Sequence, residues 1–212
     1  MNMHTSSLKK RKHFASGTAS HRHLVKLSIL GAVALGALTL PWVISHYNVA
    51  ATVPHLPFVE RLLRSGMERS VAHQAEYVHV PEGIDLRDPA LAAAAIGHYS
   101  AACAGCHAAP GQTRSPWMVL YPEPADLTKK DVVDRWSDSE LFWIIKNGIR
   151  DTGMIALGPT HQDRDIWAVS AMVRQLPALS LERYKAMVAD YQRTQEHAQH
   201  HKHSAQQPSF QK

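Results

Sequence analysis

The stretch Cys103-Ala104-Gly105-Cys106-His107 decides how the rest of this 212-residue chain is read. It holds the only two cysteines, three positions apart. A disulfide across so short a loop would staple little of a fold. The pair therefore reads as a redox dithiol, half of a zinc site or a haem attachment motif, and no second cysteine pair completes a zinc site. The haem reading gives the spacing a chemical reason. Two thiols must reach two vinyl groups on one porphyrin edge while the next residue turns its imidazole under the iron. Ala104 and Gly105 are small enough for a short helical turn to permit this.

A second axial ligand has to come from elsewhere in the chain. Met154 lies forty-seven residues beyond His107, in NGIRDTGMIALGPTH. A thioether there completes His/Met coordination, which raises reduction potential and favours electron transfer over oxygen chemistry. Met118 is the main competing thioether and His161 the strongest nitrogen rival, while Met172 and His98 read as packing residues. Pro110 and Gly111 can turn the chain so that a carbonyl accepts the second imidazole N–H of His107. Trp136, Trp143 and Trp167 either line the haem crevice or pack in the core.

The flanks read as helices. Asp88-Pro89 begins one that runs into Cys103, with Asp88 as cap and Pro89 in the first turn. Residues 108–127, rich in Pro and Gly, form a loop wrapped around something. Ser137 and Glu140 make a capping box whose helix ends at Gly148, with Leu141, Ile144 and Ile145 facing inward. Thr160 is expected to cap a helix with Ile166, Val169 and Val173 on one face, stopped by Pro177. Ser180 opens a polar helix to about Gln195, before a His-rich tail carrying His197, His200, His201 and His203. A solvated tail is the plainer reading of those histidines than a loose metal site.

Residues 80–179 resemble a class I, monohaem cytochrome c domain of the bacterial type. The resemblance rests on PEGIDLRDPALAAAA, CAGCHAAPG, SDSELFWIIKNGIRDTGM and GPTHQDRDIWAVSAMVRQLP, in that order. It implies an all-α fold, a small helical domain around one covalently attached haem c and its iron. It further implies His107 and Met154 as axial ligands, first and last helices crossing near the haem, and Tyr99 as the aromatic four before the first cysteine. Two features depart from the pattern. Ile155, Ala156 and Leu157 replace the usual Pro, Ala and aromatic after the ligand Met, which leaves that loop less stiff. Met172 stands where a Tyr is common, which implies a softer Met–aromatic contact there.

Ahead of this domain, residues 24–44 are almost wholly apolar. As a helix at about 1.5 Å per residue they cover roughly 30 Å, a bilayer's hydrocarbon thickness. Residues 1–46 carry six Lys/Arg and no carboxylate, and the next cation is Arg61. The positive-inside rule then places residues 1–23 as a basic cytoplasmic tail, expected to be disordered, and 24–46 as a single transmembrane anchor. A cleaved signal, with small residues at Ala50 and Ala51, is the rival. Either way the domain is carried past a membrane, which also suits covalent haem attachment. Residues 47–79 form a connector with a helix carrying Val59, Leu63, Met67 and Val71 on one face, resting on the globular part or on lipid headgroups. Residues 180–212 hold the polar helix and tail.

Residues 77–177 carry nine Lys/Arg against twelve Asp/Glu, net −3, so nothing suggests a basic groove for nucleic acid. The expected function is single-electron transfer, not enzymatic catalysis. A membrane-anchored c-type cytochrome would pass electrons between respiratory or other redox partners, with its haem domain in the periplasm of a bacterial inner membrane. A haem sensor or small-molecule enzyme with a displaceable distal ligand is the alternative, and a thiol–disulfide oxidoreductase using Cys103 and Cys106 the third.

Overall fold

The computed structural model describes residues 17–205, with side chains from 21 to 198. The basic run at residues 9–12 and the side chains of His200, His201 and His203 lie outside the described residues. The chain divides into two units at the Val49–Ala50 boundary.

Among the described residues the first unit holds one helix, α1 (Gly17–His46). Its part from His21 to His46 is long and apolar enough to cross a membrane. Large apolar side chains from Leu24 to Ile44 are exposed along it. The helix continues through Pro41, and the Thr39 hydroxyl bonds back to the Leu35 carbonyl at 2.9 Å, which keeps that polar group satisfied within the helix.

The second unit is helical, with no strand among the described residues. Its elements are α2 (Pro57–Ala75), α3 (Pro89–Ala94), α4 (Ile96–His98), a π-helical turn (Tyr99–Cys103), α5 (Ala104–His107), α6 (Lys130–Val133), α7 (Asp138–Asn147), α8 (Asp163–Gln175), a 3₁₀ turn (Leu176–Ala178) and α9 (Leu181–Ala205).

Local chemistry sets several boundaries as expected. Asp88 accepts the Ala90 N–H at 2.9 Å, and Pro89 starts α3. Ser137 and Glu140 close a reciprocal capping box on α7, and Gly148, at φ 66°, ends it. The Ser180 hydroxyl accepts the Arg183 N–H at 3.1 Å at the head of α9, which runs to Ala205, past the expected end near Gln195. Thr160 does not cap α8: its hydroxyl turns back to the Leu157 carbonyl, and Gln162 stands at the cap without a side-chain bond.

Helix α8 lies at the centre of this unit. It packs on α3 and on α7, so the whole run Ile166–Val173 is buried rather than one stripe of it. Trp167 stacks on Phe142 of α7 with ring centroids 4.1 Å apart, a contact contributing about 0.5–1.5 kcal/mol beyond area burial. The Ser170 hydroxyl, fully buried, is satisfied by the Ile166 carbonyl. Helix α2 buries Val71 and Ala75 and packs on α7. Helix α9 packs on α4: Tyr184 joins the core cluster, and the Tyr191 ring lies where a Cβ on Gly97 would come within 2.2 Å.

Arg174, near the end of α8, ties the bundle together. Its guanidinium pairs with Asp138 at 2.6 Å and donates to the carbonyls of Val133 (3.2 Å) and Trp136 (2.7 Å). Its side chain is only 13% exposed, so removing it leaves a carboxylate and two carbonyls short of a donor. Arg174→Met is expected to cost about 2–3 kcal/mol in denaturant unfolding, and Arg174→Lys to recover only part, because one ammonium cannot span the fork.

Candidate haem site

Helices α3 to α5 form a nearly continuous rod that delivers Cys103, Cys106 and His107 at its end. The π-helical turn at Tyr99–Cys103 inserts an extra residue just before the first thiol and rotates the α5 turn relative to α4. After His107 the chain reverses sharply. Ala108 takes φ 62° and ψ 173°, a conformation costing of order 1–3 kcal/mol for a residue with a Cβ. Its carbonyl accepts the Tyr99 hydroxyl at 2.6 Å, in a site where Tyr99 is fully buried, and this bond helps hold the turn.

The imidazole of His107 is fixed by the loop leading to α6. Nδ1 lies 2.8 Å from the Ala125 carbonyl oxygen. A carbonyl can only accept, so Nδ1 carries the proton and Nε2 keeps its lone pair. Burial holds the ring's pKa below its usual value, with the Arg114 charge adding and the Ala125 bond opposing. The ring is therefore neutral at pH 7. A second bond, Leu127 N–H to the His107 carbonyl at 3.1 Å, closes the loop onto α5. Arg114 donates to the Pro124 carbonyl at 2.8 Å and pairs with Glu123, while Asp126 accepts from the backbone and hydroxyl of Thr128.

The sequence expects Pro110 and Gly111 to turn the chain so that a carbonyl accepts from the ring. That turn exists, with Gly111 at φ 75° and paired backbone bonds between Ala109 and Gln112, and the carbonyl that accepts is that of Ala125. Arg114, Ala125 and Leu127 escaped the sequence reading. A signal was present for one: Arg114 is the sole Lys or Arg between Arg87 and Lys129.

Met154 is half-buried and packs against the core from the loop between α7 and α8. Its backbone is pinned despite the missing proline. The Met154 N–H donates to the Thr152 hydroxyl (3.0 Å), and its carbonyl accepts from Ile149 (3.3 Å). A Cβ at Gly148 would stand 2.6 Å from that carbonyl. Met118 lies elsewhere, over the attachment motif itself, with its sulfur 3.6 Å from Cys106 Sγ and 45% of the residue exposed. The two loops meet at Leu120, whose side chain lies against Gly153. His161 is turned to its neighbours, with Nδ1 2.9 Å from the Thr160 hydroxyl and its ring edge-on to His98 at 4.7 Å. Trp167 is a core residue, whereas Trp136 and Trp143 are half-buried.

Both thiols are unpaired and half-buried. Burial, helped by nearby Cys106, pushes the Cys103 thiol up to about 11. Thiol–disulfide exchange needs a lowered thiol pKa, so this environment weighs against a dithiol catalyst. A cleft of about 540 Å³, within the roughly 300–1,000 Å³ of ligand sites, opens beside Gly105 and Cys106 and is walled by Arg114, Met118, Leu120 and Tyr121.

Residues 90–172 match the family described as "Cytochrome C oxidase, cbb3-type, subunit III". This part of the chain is a monohaem class I cytochrome c domain, a domain that carries covalently bound haem c with its iron. Neither the curated proteins nor the solved structures compared with the chain yield a match.

The residues present fit such a group. Two free thiols stand one helical turn apart next to an imidazole whose proton is held on the far nitrogen. Tyr184 adds a second sign. Its hydroxyl is buried near Cys103 without a hydrogen-bond partner among the described residues, a state that costs about 1–3 kcal/mol unless a further polar group reaches it. In protein made without haem, Cys103 should react slowly with iodoacetamide at pH 8, and its rate should climb with pH until about 11, as peptide mapping of the alkylated protein would record. A fast reaction at pH 7 would instead mark a catalytic thiol.

Proposed function

We propose that this chain is a membrane-anchored single-electron carrier in which Cys103 and Cys106 attach the haem and His107 and Met154 ligate its iron. The observation that carries the reading is the His107 ring, immediately after the two thiols, with its proton committed to Ala125 and the Nε2 lone pair left free. Bound haem supplies a one-electron couple at iron. The chain's own residues hold that group and order its surroundings. Ala125 and Leu127 orient the imidazole, Tyr99 braces the turn behind it, and the bonds at Thr152 and Ile149 keep the Met154 backbone in place.

Met154 is preferred to its rivals on position. Met118 lies over the attachment motif with its sulfur 3.6 Å from Cys106 Sγ, and His161 is engaged with Thr160 and His98. The pinned Met154 loop also favours a carrier over a sensor with a displaceable ligand. The apolar helix His21–His46 would hold the domain at the outer face of a bacterial inner membrane, where periplasmic redox proteins could dock as donor and acceptor.

Met154→Ala is expected to abolish the long-wavelength absorption band of thioether–iron ligation and to lower the reduction potential. Haem staining on denaturing gels should be retained. Met118→Ala should leave the band in place. Loss of the band in the Met118 variant alone would exchange their roles, and a wild-type band free of staining would refute covalent attachment.

A further inference from the structure

The N-terminal half of α2 presents an apolar strip that nothing in its own unit covers. Phe58, Leu62 and Leu63 are 73%, 60% and 54% exposed, preceded by Leu56 at 64%. At about 100° per residue Phe58 and Leu62 share one face, away from the buried Val71 and Ala75, and Leu63, expected on the face of Val71, is exposed at the strip's edge. A contiguous exposed apolar strip on a folded domain marks an interaction surface.

The charges beside it point to the kind of partner. Both carboxylates of α2 are already paired, Glu60 with Arg64 at 2.8 Å and Glu68 with Arg135 at 3.4 Å. Arg61 and Arg69 have no ion pair among the described residues and are exposed next to the strip. An apolar strip bordered by uncompensated guanidinium groups matches the boundary between acyl chains and anionic headgroups, where such helices lie in the membrane plane. Chain length supplies the second argument. Only ten residues, 47–56, separate the end of α1 from the start of α2. Fully extended they reach at most roughly 35 Å, so α2 begins within that distance of the point where an anchored α1 leaves the bilayer and can reach its surface.

We infer that the strip formed by Phe58, Leu62 and Leu63, with Arg61 and Arg69, rests in the headgroup region of the membrane that α1 crosses. This inference rests on the anchored reading of α1. The membrane contact would restrict how the haem domain turns on its tether and so which of its faces meets a partner.

The test uses full-length holoprotein carrying Leu62→Cys, spin-labelled after haem attachment and reconstituted into phosphatidylcholine vesicles with and without phosphatidylglycerol. Wild-type protein, treated alike, reports any label taken up elsewhere. The expected result is that the nitroxide at 62 is more accessible to oxygen than to a water-soluble nickel chelate, with the bias larger when phosphatidylglycerol is present. A label favouring the nickel chelate in protein that floats with vesicles after a carbonate wash overturns the headgroup contact alone. Protein that does not float with vesicles overturns the anchor, and the inference with it. Phe58→Glu with Leu62→Glu provides a second readout. It should loosen α2 to amide exchange in vesicles and leave exchange at α8 unchanged; equal exchange at α2 in both proteins would count against the contact.

Discussion

The hydrogen bond from His107 Nδ1 to the Ala125 carbonyl organises the molecule around it. It demands that a loop eighteen residues further along fold back beneath the attachment turn. Much of what stands nearby serves that demand. Arg114 grips the Pro124 carbonyl, Asp126 makes its tight turn with Thr128, and Leu127 closes onto the His107 carbonyl. A bond of this kind sets which nitrogen bears the proton, and with it the direction in which the ring's lone pair can be used.

The turn that permits this geometry is itself unfavourable. Ala108 sits in backbone territory suited to glycine, and Tyr99 spends its hydroxyl on the Ala108 carbonyl. Strain of this order persists only where the surroundings over-determine it. Here they do: α3 and α4, which lead into the attachment turn, pack on α8, and α4 also packs on α9. Helix α9 lies beyond residues 90–172, yet Tyr184 and Tyr191 reach into the packing around the attachment rod. Arg174 joins α8 to the start of α7 in the same unit, so the loop that carries Met154 springs from two helices fixed to each other.

Such an arrangement suits a protein that changes oxidation state without changing shape. The attachment turn is held by contacts distributed over several helices, and the raised Cys103 thiol pKa weighs against dithiol catalysis. Net negative charge over residues 77–177 stands in contrast to the cations of the first 46, which precede or begin the apolar helix.

Much of this was legible in the amino acids. The Cys-x-x-Cys-His turn, the Asp88-Pro89 start, the Ser137–Glu140 box and the Gly148 stop are each made of neighbours in the chain, whose side chains carry their own instructions. Those features come from residue type at short range, and the apolar run before them comes from composition alone. Thr160 shows where such signals fail, since its hydroxyl found a nearer carbonyl than the cap it was expected to make. The full burial of α8, the placement of Tyr184 and the choice of Ala125 as acceptor were decided by packing. Every residue owns a backbone carbonyl, so nothing in the identity of Ala125 announces its role; only the folding of the loop brings that one oxygen to the ring.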